Sequence, residues 1–268
     1  MKTIGLWIGF GLFVLSATPF ADAQEIPGEP SGREIAVMVD EREDGDDQIS
    51  EAVWTLTNSR GKTRKRHTLR YWKDYEGEEG LSSKSFIYFE SPPDVKDTTF
   101  LNWSQEDAEA DDDQWIYLPA LRKVRRIASG DKENSFMGSD MIYDDMADRE
   151  VEEDTHKLLR VEQNNSTKLY VLESTPVKEN YIYSKKLRWI NAETLTEPRI
   201  EFYDRKDRLL KILTTEWEEI DGIWNWKRIV VENQLTGHKT EVDFSNVRFN
   251  QGLKESIFTE RSLRKGAP

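Results

Sequence analysis

Between residues 49 and 249 the side chains alternate in character at every second position, in strand-length runs separated by Gly, Pro, Asn and Asp. Several runs are apolar on both faces: Trp115 and Tyr117 alternate with Ile116 and Leu118, and Phe86 and Tyr88 with Ile87 and Phe89. Successive side chains of a strand point to opposite faces, so a sheet packed on one side should be apolar on one face only. Both faces must therefore be covered, in a plain sandwich or in a sheet that curls around an apolar interior. The curled sheet also leaves room for a ligand.

In detail, Ala52, Trp54 and Leu56 alternate with Val53, Thr55 and Thr57, residues 58–61 turn the chain, and residues 66–72 return as the second arm of a hairpin. Similar runs recur to the end of the chain, giving about eleven consecutive antiparallel strands. One helix precedes them. Ser31 and Glu34 have capping-box spacing, and Ile35, Met38, Val39 and Arg42 fall on one stripe, which predicts about three turns ending near Gly45. A helix with one apolar stripe must lie on something. The expected fold class is α+β, mostly antiparallel β, as a single domain over residues 31–268 after a linker at residues 24–30.

The first residues carry an export pattern. Lys2 precedes an apolar run over residues 4–15, and Ala21-Asp22-Ala23 supplies small residues around a cleavage site before Gln24. The run is shorter than the roughly 20 residues that cross a bilayer, so a cleaved signal peptide over residues 1–23 is expected. There is no cysteine, so no disulfide supports the domain and its own core must do so. The net charge is -13, and cleavage would remove one Lys and one Asp and leave it unchanged. That balance opposes binding to nucleic acid or adsorption to anionic lipid.

Nothing in the sequence recommends catalysis. A cysteine nucleophile, a Gly-x-Ser-x-Gly elbow, a Gly-rich phosphate loop and a His-Glu-x-x-His pair are all missing, so no enzyme and no cofactor are expected. His67, His156 and His238 lack ligand spacing. Asp111 to Asp113, and Asp140 with Asp144 and Asp145, do not follow an EF-hand, so no metal is expected. A helix start capped by Ser139 or Asp140 accounts for the second cluster. In so acidic a chain the segment Arg122, Lys123, Val124, Arg125, Arg126 stands out. It reads either as a solvent-facing strand paired with neighbouring acids or as a docking patch for a phosphate head group or acidic partner.

The segments Asp113-Gln114-Trp115-Ile116-Tyr117-Leu118-Pro119-Ala120-Leu121, Arg125-Arg126-Ile127, Ser135-Phe136-Met137-Gly138-Ser139-Asp140 and Tyr143-Asp144-Asp145, in this order, resemble the signature of outer-membrane lipoprotein-sorting proteins of the LolA-like superfamily. The resemblance implies a strongly curved, incompletely closed β-barrel with helices as a lid. It also implies a periplasmic carrier, in a Gram-negative-type bacterium, of lipoprotein acyl chains or another lipid toward the outer membrane. As an alternative it implies an accessory protein that docks on an RND-type envelope transporter. Such a carrier needs an apolar cavity, because each methylene kept from water contributes about 0.8 kcal/mol. The expected cavity residues are Trp54, Leu56, Phe86, Tyr88, Trp103, Trp115 and Tyr117 on strands, Ile35 and Val39 on the lid helix, and Phe136 and Met137 on a gating loop. Arg122, Lys123, Arg125 and Arg126 form the expected docking patch. The strand assignments depend on register, since a slip of one residue exchanges the two faces.

Overall fold

The computed structural model describes residues 26–266; the expected signal peptide and the start of the linker lie outside the described residues. Thirteen strands, not about eleven, follow an N-terminal helix α1 (Gly32–Asp40): β1 (Asp47–Thr57), β2 (Thr63–Asp74), β3 (Leu81–Ser91), β4 (Thr99–Gln105), β5 (Asp113–Leu118), β6 (Lys123–Arg126), β7 (Asp154–Asn164), β8 (Thr167–Pro176), β9 (Tyr183–Asn191), β10 (Arg199–Asp204), β11 (Leu209–Ile220), β12 (Ile223–Asn233) and β13 (Lys239–Phe249). Pro119 begins a single 3-10 turn, Pro119–Leu121, which divides the central segment into two strands.

All strands join one antiparallel sheet in the order β6-β5-β4-β3-β2-β1-β13-β12-β11-β10-β9-β8-β7. It consists of two meanders, β1 to β6 and β7 to β13, zipped together by β1 and β13, where Trp54 lies opposite Val242 and Leu56 opposite Thr240. Arg70 of β2, Ile87 of β3, Lys186 of β9 and Leu213 of β11 line one cavity with Trp54 and Val242. Strands so far apart in the sheet order share a cavity only if the sheet curls. The face lining it is called inner below. The sheet does not close: its edges, β6 and β7, are consecutive in the chain and joined by residues 127–153.

Three layers cover the two faces. On the outer face, Tyr71, Phe86, Leu101 and Trp115 pack under Phe258 and Leu263 of the C-terminal segment, which ends in the short helix α2 (Glu260–Leu263). The Asp47 carboxylate accepts from the Gln251 and Leu253 amides at 2.7 and 2.8 Å, and Trp103 Nε1 donates to the Phe258 carbonyl at 2.9 Å. These bonds pin that segment to the sheet. On the inner face, the 127–153 connection inserts Phe136, fully buried, against Trp54, Phe89, Phe100 and Tyr143 at ring separations of 5.8, 6.2, 5.1 and 5.5 Å.

Helix α1 is the third layer. The Ser31 hydroxyl accepts from the Glu34 amide at 3.2 Å, and the Glu34 carboxylate accepts from the Ser31 amide at 2.7 Å, closing the expected capping box. The helix is shorter than expected and stops at Asp40. Glu41, Glu43 and Asp44 would otherwise load acid onto the negative end of its dipole. Ile35 and Ala36 pack on Leu158, Tyr170, Leu172 and Ile190, the inner face of β7, β8 and β9. The helix therefore lies inside the curl, along the β7 edge.

Gly32 makes that position possible, because a Cβ there would sit 2.5 Å from the His156 carbonyl oxygen. Backbone cannot yield cheaply to such a contact, so Gly32→Ala is expected to lift the helix from β7 and to cost about 1–3 kcal/mol in urea unfolding. Substitution of the adjacent, exposed Arg33 by Ala is expected to stay within about 0.5 kcal/mol.

Candidate ligand cavity

The cavity inside the curl has a volume of about 960 Å³, near the top of the roughly 300–1,000 Å³ range of small-molecule sites. Its walls differ in chemistry. Trp54 on β1, Ile229 and Val231 on β12, and Val242 and Phe244 on β13 form an apolar wall, which Met141 and Met146 of the connection extend. The Trp54 indole donates to the Thr68 hydroxyl at 2.9 Å, so its ring presents apolar surface with its one polar atom satisfied.

The facing wall carries charge. Lys186 and Arg188 on β9 and Lys211 on β11 point inward, and Arg42 reaches in from the segment between α1 and β1. Arg188 Nε donates to Glu197 at 2.6 Å. Lys211, buried at 2% exposure, pairs with Asp145, which also accepts from the Tyr183 hydroxyl at 2.9 Å. Arg70 donates to Gln48 Oε1 at 2.7 Å and lies 5.8 Å from the Trp226 ring. Burial pulls the Arg70 guanidinium down to about 10 and lowers the Lys186 ammonium as well. At about 10 the Arg70 guanidinium remains a cation at neutral pH.

An acidic rim borders the cavity at Asp40, Asp44, Asp112, Asp148 and Glu150. Burial pushes Glu150 up to about 7, and the nearby Glu106, Asp40 and Asp148 carboxylates add to it. Burial likewise raises Asp112 to about 7.

The acids of the connection have a different role from the one expected. No α-helix starts at Ser139 or Asp140: residues 144–146 form one 3-10 turn. Asp140 accepts from the Thr240 hydroxyl at 2.7 Å and lies 2.6 Å from His238 Nδ1, while its amide donates to Thr240 Oγ1 at 2.9 Å. Asp144 accepts from the Tyr181 hydroxyl and Asp145 from Lys211. These carboxylates fasten the connection to the far side of the curl.

Of the expected cavity residues, Trp54 and Val39 line the cavity. Leu56 belongs to the same inner core behind it, and Ile35 is buried beneath α1. Phe136 and Met137 pack into that core as filling, so the structure places them in the interior and not in a loop at the mouth. Phe86, Tyr88, Trp103, Trp115 and Tyr117 are a correction, for all five face outward in the cluster beneath the C-terminal segment. That segment supplies the second apolar cover that the two-faced strands required. Arg122, Lys123, Arg125 and Arg126 are exposed at the sheet edge, with Arg125 paired to Asp131 and Arg126 to Asp113. The sequence reading missed Arg42, Arg70, Lys186, Arg188 and Glu197. A signal for two of them existed: Lys186 and Arg188 share strand parity with the fully buried Ile190.

Comparison with known proteins agrees with this architecture. A family profile described as an uncharacterized protein matches residues 82–265. A DUF1329 family protein from Desulfovibrio piger is 37% identical, with a TM-score of 0.82, over 87% of this chain and 97% of that one. The chain belongs to the DUF1329 family. A domain from Vibrio parahaemolyticus designated a candidate outer-membrane lipoprotein-sorting protein is 35% identical, with a TM-score of 0.81, over 87% of this chain and 98% of its own. A LolA superfamily protein from Nitrosomonas europaea, 20% identical over 87% of this chain and all (100%) of its own, has a TM-score of 0.69 and shares the fold. This DUF1329 protein thus has a LolA-like fold, with an open, curved sheet. No curated protein matches it significantly.

The rim predicts a pH dependence. Glu150 titrates near 7 in the folded state and near 4.3 when unfolded, so its stabilising contribution is complete below about pH 4 and is lost as pH rises through about 7. Glu150→Gln removes this titration. Relative to the parent, its melting temperature is expected to be higher at pH 8, with the difference closing toward pH 4.5. Parallel thermal melts across that range would contradict the raised Glu150 if the difference stayed constant.

Proposed function

We propose that this protein carries a lipid, or the acyl chains of a lipoprotein, through the periplasm toward the outer membrane without covalent chemistry. The observation that carries this reading is the large cavity inside the open curl, with one apolar wall. Acyl chains laid on that wall are shielded from water, worth about 0.8 kcal/mol for each methylene buried. Release needs a second state of lower affinity, and α1, packed along the β7 edge, is the element whose movement would provide it. The designation of the Vibrio relative points the same way. Among the described residues no helix is long and apolar enough to cross a membrane.

A second reading, docking on an RND-type transporter, is favoured by one feature. On the sheet-edge segment, Arg122 and Lys123 are exposed and form no ion pair among the described residues, and Leu121 beside them is 62% exposed. The double substitution Arg122→Glu and Lys123→Glu is expected to abolish cross-linking to such a transporter in envelopes. Undiminished cross-linking would remove this patch from the interface.

The carrier reading is tested by extracting the purified full chain with organic solvent and measuring lipid by mass spectrometry. Lipid approaching one equivalent is expected. Leu213→Trp, which fills cavity space next to the inner core, is expected to lower the load severalfold while circular dichroism stays that of the parent. A native chain with no more lipid than an unrelated exported protein would refute the reading.

A further inference from the structure

We propose that the charged wall holds an anionic group, a phosphate or carboxylate, at the head of the amphiphile whose chain lies on the apolar wall, with Lys186 and Arg42 as its direct partners. The proposal rests on the carrier reading and names the class of cargo. Its basis is two cavity cations that no carboxylate contacts directly, although Asp44 and Glu197 both lie in the field of Arg42. Around Glu197 stand three cations, Arg188, Arg42 and Lys186, and that carboxylate lies within the field of each. Arg188 takes it directly, at 2.6 Å. Two more acids lie near Lys186, and of these Asp154 is held in a two-point pairing by Arg149, at 2.9 Å from Nε and 2.7 Å from Nη2. Asp145 is held by Lys211.

Lys186 is left without an ion pair or hydrogen bond among the described residues. Its ammonium lies 5.6 and 5.8 Å from the Phe202 and Tyr183 rings, contacts that orient a cation without neutralising it. Arg42 is similarly incomplete. One of its terminal nitrogens donates to the Leu195 carbonyl at 2.9 Å and its guanidinium lies 4.9 Å from the Trp217 ring, yet its buried Nε has no partner. Both side chains reach the same cavity. Desolvated cations with unused donors are costly unless an anion or water completes them. A phosphate or carboxylate offers several acceptor oxygens and suits the guanidinium fork. The apolar wall across the cavity then takes the chain.

Water-soluble short-chain probes separate the possible sources. Dihexanoyl phosphatidic acid, dihexanoyl phosphatidylcholine and inorganic phosphate would each be titrated into delipidated full-length protein by calorimetry. The anionic lipid is expected to bind at least about tenfold more tightly than the zwitterionic one, the scale of one charge-assisted contact, and inorganic phosphate alone far more weakly than either. Lys186→Met is expected to reduce that ratio toward one and, by removing an uncompensated charge, to raise the melting temperature of the empty protein. Lys185→Met, a neighbour on the outer face paired with Asp207, is expected to keep the ratio. Equal affinity for the two lipids, or a ratio that survives Lys186→Met, overturns the head-group site alone. Phosphate binding as tightly as the anionic lipid overturns it in favour of a free anion. Failure of both lipids to bind overturns the carrier reading beneath it.

Discussion

A curled sheet that does not close has two free edges, and everything else in this structure depends on how they are held in relation to one another. The edges are unequal: β6 has four residues and β7 eleven, so they could not pair along their length. The chain bridges them through the interior. Residues 127–153 bond on one side to the first meander, where Gln114 Nε2 donates to the Tyr143 carbonyl at 2.8 Å and Ser104 Oγ accepts from the Asp148 amide at 3.1 Å. On the other side Asp140, Asp144 and Asp145 reach the second. Phe136 sits between these anchor groups as the apolar centre of the bridge. Because Asp145 and Lys211 are buried together, losing either would strand the other's charge, so the bridge and the wall stand or fall as a unit.

The same geometry explains how a chain of net charge -13 has cations facing its cavity. Acids dominate the rim, where Glu150 is forced toward neutrality, while β9 turns Lys186 and Arg188 inward. Arg188 is paired with Glu197 and Lys211 with Asp145, so these two inward cations have partners in the wall itself. The cavity thus has acids along its border and cations concentrated on the wall formed by β9 and β11.

How far the sequence disclosed this can be seen residue by residue. The capping box at Ser31 and Glu34, the hairpin around residues 58–61 and the two-faced strands were legible, since each is local chemistry with a fixed period. The LolA-like fold was legible through the ordered segments around Trp115 and Phe136. Which face looked inward was not. Phe86 and Ile87 are equally apolar, and only the C-terminal segment, folding back from residues 250–266, makes Phe86 an outer residue. Lys186 and Arg188 were missed for the converse reason. Charge in a strand is normally read as solvent-facing, and their inward direction becomes clear only when β9 is registered against β10, opposite Phe202 and Ile200.

The seam between β1 and β13 has a consequence in time as well as in space. Residues 56 and 240 face one another there, so the central pairing of the sheet joins the beginning of the domain to its end. Contacts so distant in sequence form late, because a long loop must close before they are rewarded. Val242 and Phe244 are part of the apolar wall and belong to the last strand synthesised. An unfinished chain therefore has no cavity, and the hydrophobic surface of the first meander stays without its partner until β13 arrives.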